Sequence, residues 1–216
     1  MPDLSFAVEN AEVVRFAAAP LLAFKLRVTN ADPLEAIHTV ALRCQIQIEV
    51  ARRRYALAEQ DRLRDLFGEP ERWSQTLRPL LWTHASVVVP QFTGSVTAVL
   101  PVACTFDFNV AATKYFDGLA DGELPLSLMF SGTVFYGGEN GALQVAPISW
   151  DKETRFRLPV AVWKEMMDLH YPNSAWLCLR RDVFDRLHQY KVRRGIPTWE
   201  DALENLLASC EEVVRS

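Results

Sequence analysis

The stretch IHTVALRCQIQIEV, residues 37–50, places Val40, Leu42, Cys44, Ile46, Ile48 and Val50 at every second position, with Arg43, Gln45, Gln47 and Glu49 between them. Successive side chains of a strand leave on opposite faces, so a period of two sets one apolar row against a core and one polar row against water. A helix would scatter both rows around its circumference. Strands with one wet face belong to antiparallel sheets, and they must be layered against something apolar. The same device recurs in LAFKLRVT (22–29), through Leu22, Phe24, Leu26 and Val28. It recurs again in VACTFDFNV (102–110), where Val102, Cys104, Phe106, Phe108 and Val110 are expected to face inward. Residues 124–150 read as two strands joined by Gly-Gly-Glu-Asn-Gly, a turn whose residues tolerate positive φ.

Helical patterns are fewer and concentrate late in the chain. LAEQDRLRDLF (57–67) interrupts the strands with Leu63, Leu66 and Phe67 as its apolar edge and Gly68 as its C-terminal stop, and Pro70 and Trp73 fall in the loop that follows. AATKYFDGL (111–119) fits either a short helix or a continuation of the preceding strand. LPVAVWKEMMDLHYP (158–172) has Pro159 where a first helical turn tolerates it, a stripe of Val160, Trp163, Met167 and His170, and a stop at Tyr171-Pro172. Two further helices are predicted, at about 182–194 with Val183, Phe184, Leu187 and Tyr190, and at about 199–210 with Trp199, Ala202, Leu203, Leu206, Leu207 and Cys210 on one face. Thr198 and Asp201 are spaced as a capping pair. The fold class is therefore α+β, an antiparallel sandwich-like β unit with an inserted helix over 1–150 and a small helical cap over 151–216 packed on it.

Composition removes several function classes. Half of the residues are apolar and 23% are charged, as in ordinary globular chains, and a formal net charge of −4 supplies no field to gather polyanions. The longest apolar run, FAAAPLLAF at 16–24, is broken by Pro20 and far shorter than the roughly 20 residues a membrane span needs. No basic region precedes it as in a signal peptide, so a cytoplasmic protein that spans nothing is expected. Cys44, Cys104, Cys178 and Cys210 form no CxxC pair and are expected as reduced, buried thiols.

Motifs of known chemistry are missing. Neither GxxxxGK, GxGxxG nor GxSxG occurs, and YGGENGA joins two strands instead of opening a helix. His38, His84, His170 and His188 lack HxxxH or HExxH spacing, and His170 sits on an apolar stripe as a satisfied core or rim residue. FDGLADGELP (116–125) gathers Asp117, Asp121 and Glu123, but a calcium loop begun at Asp117 would need oxygen ligands where Leu119 and Leu128 stand. A Cys104–His84 pair is disfavoured because Cys104 alternates in phase with two phenylalanines, which opposes a thiolate.

Two stretches invite a binding role. ARRRY (51–55) is the densest positive spot, and Arg52, Arg53 and Arg54 are its candidates for an anion or acidic-partner contact, against a favoured reading as a solvated strand end that blunts edge pairing. LCLRRDVFDRLHQYKVRRGIPTWEDALENLL (177–207) has the strand–helix–helix order of ribbon-helix-helix DNA-binding proteins. Its strand AWLCLR offers no base-reading donor before Arg180, and residues 177–208 hold six basic against five acidic side chains, so nucleic acid is a poor partner.

The segments LRCQIQIEVARRRY, LFGEPERW, TLRPLLWTH, LMFSGTVFY and PTWEDAL together resemble an uncharacterised bacterial family, a domain of unknown function, over about residues 4–208. Its members are associated with gene neighbourhoods of nickel-iron uptake hydrogenases and their maturation factors. The resemblance implies a non-catalytic accessory or assembly protein that binds a hydrogenase subunit or maturation partner, and it implies no cofactor and no catalytic or metal-ligating residues. A DNA-binding regulator using the C-terminal hairpin and an enzyme with a dispersed site are the alternatives.

Overall fold

A computed structural model describes residues 2–104, 110–138, 142–174, 177 and 179–215. The chain divides into two compact units, 1–173 and 174–216. The expected boundary at residue 150 lies inside the first unit, because the segment just beyond it joins the sheet.

Among the described residues the first unit holds nine strands, and every pairing among them is antiparallel. β1 (Leu4–Val13), β2 (Leu21–Asn30) and β6 (Ser95–Ala103) make one sheet in the order β1-β2-β6. The other runs β4 (Leu80–Val89), β3 (Ala36–Ile48), β7 (Glu123–Gly137), with β5 (Phe92–Thr93) on β3. β9 (Glu153–Pro159) pairs the first half of β7, and β8 (Leu143–Pro147) pairs the second half. Rings stitch the two sheets into a sandwich. Phe6 stacks on Phe130 at 4.3 Å, and Phe24 lies 5.7 Å from Phe156 and 6.4 Å from Trp82. The α+β class with a sandwiched antiparallel sheet is thus present.

β3 shows the alternation that its sequence demands: Val40, Leu42, Cys44, Ile46 and Ile48 are buried while Ala41 and Arg43 are exposed. The strand stops at Ile48, two residues before the sequence pattern does, because Val50 opens a one-turn 3₁₀ helix, Val50–Arg52, yet stays in the core. The strand expected at 102–110 is corrected. Val102 and Cys104 are buried in the expected phase, but the alternation runs upstream through Leu100 and Ala98, and β6 ends at Ala103. Phe106 and Phe108 lie outside the described residues. The hairpin over 124–150 forms, with Gly137 opposite Leu143, and residues 139–141 of its turn are likewise outside the description.

α1 (Leu57–Phe67) keeps its expected bounds, and Gly68 closes it by donating its N–H to the Arg64 carbonyl at 2.8 Å. Pro70 and Trp73 lie in short helical turns, the second being α2 (Trp73–Thr76), and Trp73 is buried with Nε1 donating to the Gly68 carbonyl at 2.9 Å. Of the two readings of 111–119, the helix is the one observed: α3 spans Val110–Gly118. It buries Tyr115 and Phe116, with Leu119 buried just past its end, and Phe116 stacks on Trp163 at 4.8 Å. Trp163 belongs to α4 (Val160–His170), whose buried stripe is Val160, Trp163 and Met166 in place of the expected Met167.

The second unit consists of α5 (Arg181–Arg194) and α6 (Trp199–Arg215). The turn between them is tied by Gly195 N–H to the Val192 carbonyl and Ile196 N–H to the Lys191 carbonyl, each at 3.1 Å. At the start of α6 the Asp201 N–H donates to Thr198 Oγ1 at 3.1 Å, and that hydroxyl donates to Asp201 Oδ2 at 2.5 Å. Thr198→Ala removes this cap, and a loss of about 1 kcal/mol of helix stability is expected, visible as faster amide exchange in the first turn of α6.

Candidate functional site

The three arginines of ARRRY separate. Arg52 and Arg54 are exposed, with Arg52 3.4 Å from Glu49, whereas the Arg53 side chain turns inward to Glu59. The two partners are 8% and 4% exposed, and Arg53 Nη2 lies 2.7 Å from Glu59 Oε1. Arg53 also donates to the carbonyls of Glu123 at 2.8 Å and Asp121 at 2.7 Å. Gly122, between them, has φ of 79°, and a Cβ there would stand 3.2 Å from Nη1, so this loop approaches the guanidinium as only glycine permits. Glu59 accepts from the Ala120 N–H at 2.9 Å through Oε1 and from the Ala56 N–H at 3.1 Å through Oε2. Burial pushes the Glu59 carboxyl up, but hydrogen bonds from Ala120, Ala56 and Arg53, with the Arg53 charge, more than offset it and hold the group below the usual carboxylate range.

Rings close this cluster. Tyr55 donates to the Val50 carbonyl at 2.7 Å, so the 2.8 Å contact between Tyr55 and Tyr115 hydroxyls is donated by Tyr115. Burial pushes the Tyr55 phenol up to about 12 and the Tyr115 phenol above its ordinary value, so neither is poised to ionise. The Arg53 guanidinium sits 5.8 Å from the Tyr55 ring centre. The arrangement clamps the 120–123 loop to the entry of α1, and Arg53 is spent on that task. A clamp made of one compensated ion pair positions backbone; it offers no group to a substrate.

The other sequence candidates are equally occupied. Asp121 and Glu123 serve the clamp through their carbonyls. Cys104 is buried and donates to the Val102 carbonyl at 3.3 Å, and burial, against a backbone hydrogen bond from Leu22, pushes its thiol up to about 12. Burial also raises Cys44 to about 12. A thiol so held is a poor nucleophile, and His84 is exposed on β4. His170 faces the Met166 carbonyl with Nδ1 at 2.9 Å and the Ala17 carbonyl with Nε2 at 3.3 Å, a rim position with both ring nitrogens engaged. The expectation of buried thiols fails for Cys210, which is exposed near the C-terminal end of α6; Cys178 lies outside the described residues. A groove of about 500 Å³ runs between Asp3, Val134, Ile148 and Lys152, and its ammonium is taken by Asp3 Oδ1 at 2.5 Å. Among the described residues, no three His, Cys, Asp or Glu side chains converge as a metal site.

What remains open is the helix pair. α5 buries no residue, and Ala202 is the one buried described residue of α6. Trp199 lies 5.3 Å from Phe184 and 6.0 Å from His188, with Lys191 Nζ 5.5 Å above its ring. Phe184 stays 45% exposed despite that ring contact, and beyond it Val192 is 62% exposed, Leu207 66% and Leu203 38%. Ahead of α5, the described residues Leu177, Leu179 and Arg180 are in no strand, so the ribbon expected of a ribbon-helix-helix reader is not seen there. The signal for this surface was in the sequence as an amphipathic face. The signal for the clamp was Glu59, four residues before buried Leu63 on the face that α1 turns to the core.

No curated protein matches the chain. Among solved structures it is similar to a putative late embryogenesis abundant protein, with 16% identity over 74% of this chain and 72% of that one and a TM-score of 0.31. It is also similar to the putative ApaA protein from Bordetella pertussis, with 17% identity over 73% and 93% of the two chains and a TM-score of 0.23. β-Glucosidase 3B from Thermotoga neapolitana shares 11% identity over 72% of this chain and 17% of its own length, at a TM-score of 0.26. TM-scores this low carry nothing about activity. The family assignment is firmer, since the match runs from residue 1 to residue 215: the chain belongs to a family of unknown function, DUF6084.

Proposed function

We propose that this is a non-catalytic accessory or assembly protein that acts by protein–protein binding, with the sandwich as a rigid support and the α5–α6 pair as its contact element. One observation supports this above the others: a short unit of two helices presents Phe184, Val192, Leu203 and Leu207 to solvent, while Ala202 is the one buried side chain among its described residues. Ordering such a segment costs conformational entropy that its internal contacts do not offset, so its apolar face is made to be covered. Exposed Arg52 and Arg54 are secondary candidates for an acidic partner.

The resemblance to proteins of nickel-iron hydrogenase gene neighbourhoods supplies the partner class, a hydrogenase subunit or a maturation factor, in the cytoplasm. Among the described residues no helix is long and apolar enough to cross a membrane, which is compatible with that setting. Affinity capture of the tagged chain from its native host under gentle conditions is expected to bring down a hydrogenase-related polypeptide. Recovery of none would remove that partner class.

A further inference from the structure

The charge on the helix pair is divided between its two members. α5 carries Arg181, Arg186, Lys191, Arg193 and Arg194 against Asp182 and Asp185, which leaves it at +3. The described side chains of α6, residues 199–210, include Glu200, Asp201 and Glu204 and no basic residue, which leaves them at −3. Opposite charges of this size within one short unit would be expected to pair with each other. They do not. Among the described residues no ion pair joins α5 to α6, and the single bridge in this unit, Arg180 to Asp182 at 3.1 Å, links neighbours at the N-terminus of α5.

A two-fold axis resolves the mismatch. In an isologous contact, whatever one copy presents the other presents as well, so a surface that is positive along one helix and negative along the next is complementary to itself when rotated by half a turn. Each α5 then faces the other copy's α6. The exposed Val192, Leu203 and Leu207 come from both helices and meet their equivalents in the same contact. A foreign partner would have to carry the same alternation of charge in mirror order; a second copy carries it by construction.

We infer that the α5–α6 pair docks on the α5–α6 pair of a second copy of this chain, forming a symmetric dimer that presents two β units. This rests on the reading of the helix pair as a protein-contact element, and it makes a second copy, ahead of any foreign polypeptide, the occupant of that face.

Light scattering on the full chain after size exclusion is expected to give twice the 24.5 kDa chain mass. Two charge-reversed variants test the pairing. Arg186→Glu with Arg193→Glu takes α5 from +3 to −1, and Glu200→Lys with Glu204→Lys takes residues 199–210 of α6 from −3 to +1. Each alone is expected to weaken self-association by about tenfold or more, and an equimolar mixture is expected to restore the dimer, because the mixed contact again opposes unlike charges. Strand circular dichroism and tryptophan fluorescence confirm that the β unit is folded in each variant, and rescue by mixing separates lost pairing from lost folding. A wild-type chain that stays at the monomer mass as concentration rises overturns the inference, as does a dimer indifferent to both reversals. A monomer that still captures a foreign protein through the helix pair would overturn the dimer and leave the proposed function standing. A dimer that captures no hydrogenase-related polypeptide would do the reverse.

Discussion

Replacing Arg53 with Met is expected to lower the unfolding free energy by about 3–5 kcal/mol, since it strands the Glu59 carboxylate in a site with 4% exposure. Urea unfolding followed by tryptophan fluorescence measures the loss directly, with Trp73 close to the reporter region through its 5.3 Å ring contact with Tyr55. Arg52→Ala and Arg54→Ala are the matched controls, and each should stay within about 0.5 kcal/mol of wild type, because both side chains are in water. A loss from Arg53→Met no larger than theirs would mean that the clamp holds nothing. The pair also sets an acid limit. Glu59 is held below its ordinary value in the folded state, so its contribution is complete above the unfolded pKa of about 4.3 and is lost as pH falls through the lower folded value. Wild type should therefore lose stability on acidification below about pH 4, and Glu59→Gln, already destabilised at neutral pH, should show a shallower slope in that window.

The second large effect lies in the middle of the long central strand. Gly132 has φ of 143°, and a Cβ placed on it would stand 2.0 Å from the Ala41 carbonyl oxygen of β3 and 3.1 Å from its carbon. Both are backbone atoms of the neighbouring strand, so no side chain can swing away. Gly132→Ala is expected to cost more than about 3 kcal/mol, by combining a disfavoured backbone conformation with a clash inside the β3–β7 ladder. Thermal unfolding and amide exchange across residues 39–46 would show it, and unchanged exchange there would mean that the two strands separate without consequence.

Much of this fold could be read from residues alone, and the reason differs between elements. β3 was legible because its apolar row is unbroken and its polar row is real. α1 was legible because Leu63, Leu66 and Phe67 share an edge and Gly68 ends it. β9 escaped notice because Glu153, Arg155 and Arg157 dominate its composition, and only Phe156 and Leu158 touch the core to any depth. Its pairing with β7 is what moves the boundary of the first unit from 150 to 173. β6 was legible only at its C-terminal end, because its upstream alternation through Ala98 and Leu100 is set against small and β-branched residues on the other face that carry no charge. Arg53 was legible as a charge and not as a buried one; a run of three arginines says nothing about which of them has a carboxylate four to eight residues on that is held facing it. The helix pair is the reverse case. Its amphipathic faces were plain in the sequence, but whether they met a core or water depended on tertiary contacts that no periodicity encodes.

The central claim is that this protein acts through α5 and α6. The direct measurement is side-by-side capture from the native host with the tagged wild-type chain and with Leu203→Glu combined with Leu207→Glu, two exposed positions of the second unit. The account expects the wild type to retain a specific protein partner and the variant to lose it while its strand signal is unchanged. Recovery of the same partners in the same amounts by both chains would contradict it.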